Sequence, residues 1–138
     1  MNYMDISIVR TKINRIYEEI PILKKLGLEF NLEELKENEI IISFDGKDYF
    51  YRKGGFLFGG FVELLFDAFL GLLVRIFNDK ANQVTVNLNI DFLEEAKGNK
   101  FYINGRIIRK GSSIVFVEGN LYNGEKIFAK ANGIWKIF

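Results

Sequence analysis

Asp67 lies inside an apolar run, Phe61-Val62-Glu63-Leu64-Leu65-Phe66-Asp67-Ala68-Phe69-Leu70, where an unpaired carboxylate is costly to bury. A carboxylate kept in such a run suits work as a general base or a nucleophile. Two structural roles compete with that reading: an internal hydrogen bond to a loop, or a place on a narrow polar stripe. The stripe would include Glu63, because a four-residue spacing puts both acids on one helix face. Glu63 is therefore expected either to tune Asp67 or to share its water. Seven residues before Asp67, Gly59-Gly60 ends a loop rich in Gly and Tyr and opens the helix. The free N–H of Gly60 and the helix dipole can face a carbonyl oxygen there, and glycine lets a ligand approach the backbone closely. The competing reading is that the pair only allows the helix to start against a sheet. Thr85 could orient a water or the Asp67 carboxylate from the polar side of its strand; the alternative is an ordinary strand-favouring threonine.

Two absences narrow the chemistry. The sequence has no Cys, which removes disulfides, a thiol nucleophile and thiolate metal sites. It has no His, which removes the usual serine or cysteine triad, an imidazole acid/base and histidine zinc sites. Carboxylates, hydroxyls, amines and backbone amides remain. Nineteen basic and eighteen acidic residues leave a net charge of +1, and no basic stripe or motif points to nucleic acid. No metal or redox cofactor is expected.

The elements that must position these groups read clearly. At 138 residues and 49% hydrophobic, with 14 Phe, one domain with a sizeable core is expected over 1–138. The start shows no signal peptide, with neither a basic cluster nor a long apolar core. Ile6, Val9, Ile13, Ile16 and Ile20 mark one face of a helix within 1–20, with Asp5 as its N-cap and Pro21 as its stop. Strands are expected at Leu26–Leu35 and Glu39–Phe44, around a polar turn at Lys36–Asn38. A loop then runs from Asp45-Gly46 to about Gly59.

The helix over 60–78 is apolar nearly all round and must be enclosed. Phe56 to Phe77 is a poor membrane span, because Glu63, Asp67 and Arg75 would each cost about 2.5–3.5 kcal/mol near a bilayer centre. Val84, Val86, Leu88, Ile90 and Phe92 alternate with polar residues as a strand should. Three more strands follow, Lys100–Arg109, Ser113–Tyr122 and Lys126–Ile137, separated by turns at Ala96–Asn99, Lys110–Ser112 and Asn123-Gly124. Consecutive strands imply antiparallel hairpins, and a strongly curved sheet wrapped around the long helix would enclose it. The fold class is α+β.

With these residues in place, the chain after about Pro21 resembles the hotdog-fold acyl-CoA thioesterases of the phenylacetate-pathway (PaaI-like) type. Their pattern is Asn-x-x-Gly-x-x-His-Gly-Gly, with a catalytic acid seven residues beyond the second Gly. Here the stretch reads Arg52-Lys53-Gly54-Gly55-Phe56-Leu57-Phe58-Gly59-Gly60, and the acid is Asp67. Val84 to Phe92 resembles the family's third strand, with Thr85 at its Ser/Thr position. Arg109-Lys110-Gly111 resembles its basic hairpin turn. Two positions depart: Phe58 replaces the His and Arg52 replaces the Asn.

The resemblance implies hydrolysis of an acyl-CoA, with coenzyme A as part of the substrate. Asp67 is then general base or nucleophile, Gly60 the carbonyl donor and Thr85 their helper. Arg109 and Lys110 would meet coenzyme A phosphates, although basic residues at hairpin turns are usually only solvated. Arg52 is a substitute donor, or a charge for a ligand carboxylate or phosphate. Phe58, Gly59 and the ring-rich segment Tyr49–Phe61 would line the substrate, though core packing explains most of those rings.

Seven helical residues span about 10 Å, so one carbonyl cannot touch Gly60 and Asp67 of the same helix. Catalysis then needs at least a homodimer, and the family resemblance implies a dimer often doubled to a homotetramer. A cytoplasmic setting is expected, because coenzyme A thioesters are intracellular. The alternative is a hotdog protein that binds an acyl-CoA or another lipid-like ligand without turning it over. A hotdog dehydratase would need the missing histidine.

Overall fold

In this computed structural model, residues 5–138 are described. The part of the expected first helix that falls on residues 1–4 lies outside them. Helix α1 (Ile6–Glu19) starts where Asp5 accepts the Ser7 N–H at 2.9 Å, and it buries Val9, Ile13 and Ile16. Pro21 does not simply end it. Proline occupies the first turn of a second short helix, α2 (Pro21–Leu26), where its missing N–H would be unpaired anyway. Gly27, left-handed at φ 66°, closes α2, so the strand expected from Leu26 begins only at Asn31.

Strands β1 (Asn31–Lys36) and β2 (Glu39–Asp45) follow as expected otherwise. The loop to residue 59 holds more structure than its composition suggests. A 3₁₀ turn at Asp48–Phe50 leads into a two-residue hairpin, β3 (Tyr51–Arg52) and β4 (Phe56–Leu57). Helix α3 (Gly59–Ile76) then starts one residue early and stops two short of the expected 60–78. Strands β5 (Gln83–Phe92), β6 (Lys100–Lys110), β7 (Ile114–Asn123) and β8 (Lys126–Ile137) complete the chain.

Six strands form one antiparallel sheet in the order β1-β2-β6-β7-β8-β5. Helix α3 lies against its inner face, and Phe66, Phe69, Leu70 and Leu73 are fully buried between them. The close approach depends on two glycines that pair across β6 and β7. A Cβ on Gly105 would stand 2.7 Å from the Phe69 ring, and one on Gly119 would stand 2.5 Å from the Asn104 carbonyl oxygen. Helix α1 covers the end of α3: the Lys12 ammonium donates to the carbonyls of Arg75 and Ile76 at 3.0 and 3.2 Å. Among the described residues no helix is long and apolar enough to cross a membrane.

Strand β5 departs from its sequence pattern in a way that matters for the site. A bulge between Thr85 and Asn87 interrupts its pairing with β8. Beyond the bulge, Leu88, Ile90 and Phe92 pair with inward-facing Gly133, Ala131 and Ala129. Before it the phase is reversed: Thr85 pairs with buried Trp135 and Gln83 with buried Ile137. Thr85 therefore belongs to the inner face, not to the polar side expected from strict alternation. Val84 and Val86 are left 49% and 57% exposed. Bulges re-aim side chains in this manner.

Candidate active site

The bulge brings together two residues that the sequence could only nominate. The Thr85 hydroxyl donates to Oδ1 of Asp67 at 2.8 Å. Both line a cleft of about 530 Å³ between α1, α3 and the β5/β8 edge of the sheet, a size that suits a small-molecule ligand. Ile16 of α1 and Ile20 just after it, Ala68 and Leu72 of α3, and Trp135 of β8 form its apolar walls. Its far end is polar: Arg75 reaches Glu19 at 3.2 Å and the Ala81 carbonyl at 3.2 Å, while Gln83 donates to the Gly71 carbonyl at 2.7 Å. Lys12 lies there too. Burial pushes its ammonium below the ordinary lysine range; Asp79 opposes that shift, and Arg75 and Arg15 add to it.

Reading the sequence misses this α1 side of the cleft. Lys12, Ile16 and Ile20 carry the ordinary helical spacing of a packed face. Only the fold shows that part of that face borders Asp67. Arg75 and Gln83 carry no motif at all. Trp135, the only Trp in the chain, is buried at 2% exposure.

The start of α3 forms a second, separate region. The first bond within the helix runs from the Val62 N–H to the Phe58 carbonyl, at 3.1 Å. The amides of Gly59, Gly60 and Phe61 precede it and have no acceptor in the helix. Among the described residues no side chain caps them. The preceding hairpin fixes their position, because the Leu57 N–H donates to Ala96 and the Phe58 N–H to Phe50, at 3.0 and 2.9 Å. The Phe50 and Phe61 rings stack 4.2 Å apart beneath this junction.

Phe58 is the N-cap residue, and its exposed ring lies against Gly60, where an added Cβ would come within 2.6 Å of the ring. A side chain at position 60 would therefore push the exposed Phe58 ring aside. Gly59 and Arg52 share a cleft of about 410 Å³ with Phe56, Val62 and Phe92, and the Arg52 guanidinium lies 5.1 Å from the Phe56 ring centre.

The expected site residues therefore divide into groups. Asp67 and Thr85 meet; Gly59, Gly60, Phe58 and Arg52 gather at the helix start, about 10 Å away along α3. Glu63 is exposed between the two and lines neither cleft. Lys110 lies beyond the other end of α3, where it donates to the Phe77 carbonyl at 2.8 Å. Arg109 is exposed beside it. Among the described residues no group of three acidic side chains could hold a metal ion.

Comparison with known proteins gives this arrangement a family. Residues 54–128 match the thioesterase superfamily. Two Saccharolobus solfataricus proteins, each carrying the name "putative esterase", are 35% and 30% identical to the chain. They cover 80% and 93% of it and 79% and 85% of themselves. Among solved structures, thioesterase superfamily member 2 of Mus musculus superposes with a TM-score of 0.80 at 20% identity, covering all of both chains. A Streptococcus mutans protein solved bound to acetyl CoA superposes with a TM-score of 0.72 at 22% identity, covering 80% of this chain and 89% of its own. The α+β architecture expected from the sequence, an antiparallel sheet around a central helix, is the hotdog fold of these neighbours. The chain belongs to the thioesterase superfamily, and with it to the hydrolases.

Proposed function

We propose that this protein is an acyl-CoA thioesterase whose reaction needs two copies of the chain. Asp67 of one protomer takes a proton from water as the water oxygen attacks the thioester carbonyl carbon. The amide of the partner subunit's Gly60 donates to the carbonyl oxygen as negative charge develops there. Collapse breaks the carbon–sulfur bond, and the proton held by Asp67 passes to the departing coenzyme A thiolate. The products are a free acid and coenzyme A. Thr85 positions the carboxylate by its bond to Oδ1 and leaves Oδ2 for the water.

The observation that carries this reading is the 2.8 Å bond from Thr85 to Asp67 inside an apolar-walled cleft. The separation of Asp67 from the amides of its own helix supports the two-subunit requirement. So does β5, an edge strand with exposed Val84 and Val86, which suits pairing with a second copy. Arg52 beside the helix start, with Arg109 and Lys110 as further cations, supplies charge for coenzyme A phosphates. The acetyl-CoA complex of the Streptococcus mutans protein supports a coenzyme A thioester as the substrate class. A coenzyme A thioester as substrate favours a cytoplasmic setting.

One observation favours a second reading, a protein that binds an acyl-CoA or lipid-like ligand without hydrolysis. Phe58, exposed where the family places His, has no donor to offer. Release of coenzyme A thiol from a panel of acyl-CoAs, by wild type and Asp67→Ala, decides between them. Turnover by wild type that falls about 10²–10⁴-fold in Asp67→Ala supports hydrolysis. Tight binding with equally negligible turnover by both supports the binding protein.

A further inference from the structure

Gly71 is the thirteenth residue of the eighteen in α3, where glycine costs a helix about 1 kcal/mol relative to alanine. Nothing in the fold asks for it. Its φ is not among the left-handed values found at Gly27, Gly54, Gly55, Gly98 and Gly124. A Cβ added there would sit 3.6 Å from Gln83 Nε2 and 3.6 Å from Trp135 Nε1, both ordinary contacts. Gly105 and Gly119 differ, because a side chain at either would collide with the helix or the neighbouring strand.

What the missing side chain leaves is bare backbone in the wall of the cleft that holds Asp67, beside Gln83 and Trp135. Gly71 lies one turn beyond Asp67, about 6 Å along the axis, and Arg75 lies one turn further. Between them the walls are apolar: Ile16, Ile20, Ala68 and Leu72. The Arg75–Glu19 ion pair, tied also to the Ala81 carbonyl, stands at the far end. A groove that starts at a carboxylate, passes an unneeded glycine and ends at an ion pair has the form of a measuring slot.

We infer that Gly71 sets which acyl groups this protein accepts. An apolar acyl chain of medium length runs from the Asp67–Thr85 pair past the bare backbone of Gly71 towards Arg75, and the ion pair there limits its length. This rests on the thioesterase reading above. It adds a selectivity residue and a substrate class that the Asp67 chemistry does not require.

The test compares kcat/KM for acetyl-, hexanoyl- and decanoyl-CoA in wild type, Gly71→Ala and Gly71→Leu. Wild type is expected to favour hexanoyl- over acetyl-CoA. The hexanoyl-to-acetyl ratio should fall about tenfold or more in Gly71→Leu and by a smaller factor in Gly71→Ala, as expected when a pocket loses methylene-sized space. Decanoyl-CoA should be the poorest of the three in every protein. Gly71→Ala should melt no lower than wild type, so its ratio decides the matter if Gly71→Leu does not fold. A ratio unchanged by both substitutions, or equal losses on all three substrates, overturns the role of Gly71 and leaves the thioesterase reading standing. A wild type that hydrolyses none of them overturns both.

Discussion

The Thr85 hydroxyl reaches Asp67 from the sheet edge to the middle of the central helix, eighteen residues earlier in the chain and 2.8 Å away in space. That bond orients a carboxylate that is otherwise exposed. Thr85→Val keeps the shape and removes the donor. Expected is a fall in kcat of about 10-fold with KM little changed, since an interaction that matters mainly in the transition state has been lost. Thr85→Ser restores the hydroxyl and should recover most of the rate. Steady-state kinetics on one acyl-CoA check this, and a Thr85→Val enzyme as fast as wild type removes Thr85 from the mechanism.

Gly60→Ala places a methyl group against the Phe58 ring. The ring is exposed and can swing aside, so the stability loss should lie near the low end of overpacking, about 1 kcal/mol. Removing the ring in Gly60→Ala/Phe58→Ala should return that loss. Denaturant unfolding of the two single variants and the double variant, read as a cycle, gives the coupling. Equal losses in the Gly60→Ala single and double variants would show that the ring is not what the methyl meets.

Val86 is 57% exposed on the edge strand, so a charge there leaves the protomer intact. Two copies of Val86→Lys brought edge to edge repel one another. Sedimentation velocity should find wild type as a dimer or a larger assembly and the variant shifted towards monomer. Far-UV circular dichroism should be unchanged, and thioester hydrolysis should disappear with the assembly. A fully active monomer would exclude a site shared between subunits.

The Tyr17 hydroxyl accepts the Phe30 N–H at 2.6 Å and ties α1 to the start of β1. Tyr17→Phe leaves that amide without its acceptor and should cost about 1–3 kcal/mol. Burial pushes the Tyr17 hydroxyl up from the ordinary tyrosine value, with Glu29 in support and the Phe30 N–H in opposition. The folded chain therefore keeps this proton after the unfolded chain has released it. The resulting stability is fully present below about pH 10 and is lost as pH rises through the folded value. Tyr51 and Tyr122 are shifted the same way and are common to both proteins, so they cancel in the comparison. Thermal melts from pH 9 to 11.5 should show the gap between wild type and Tyr17→Phe narrowing as pH rises; a constant gap would contradict the shift.

Most of the architecture was legible because its signals are local. The threefold and fourfold spacing from Ile6 to Ile20 encodes α1, and the apolar circumference of α3 encodes its enclosure. The Asn123-Gly124 turn encodes the last hairpin. What escaped has no local signature. The bulge at Val86 interrupts an alternation that is perfect in the sequence, and only pairing with β8 reveals that Gln83 and Thr85 face inward while Val84 and Val86 do not. Pro21 reads equally well as a stop and as a first-turn residue, and the left-handed Gly27 settles which. Asp67 was visible because a carboxylate is conspicuous among apolar neighbours. The Lys12, Arg75 and Gln83 side of its cleft was not, because it is assembled from three distant segments.

The donors at the beginning of α3 belong to the main chain, and this has a practical consequence. Alanine scanning replaces side chains, so it would pass over the positively polarised half of such a site without registering it. A substitution at Gly60 disturbs the aromatic ring before it touches the amide. Only a change of the peptide bond itself, such as an ester in place of the Phe58–Gly59 to Gly60–Phe61 amides, would measure what those hydrogens contribute.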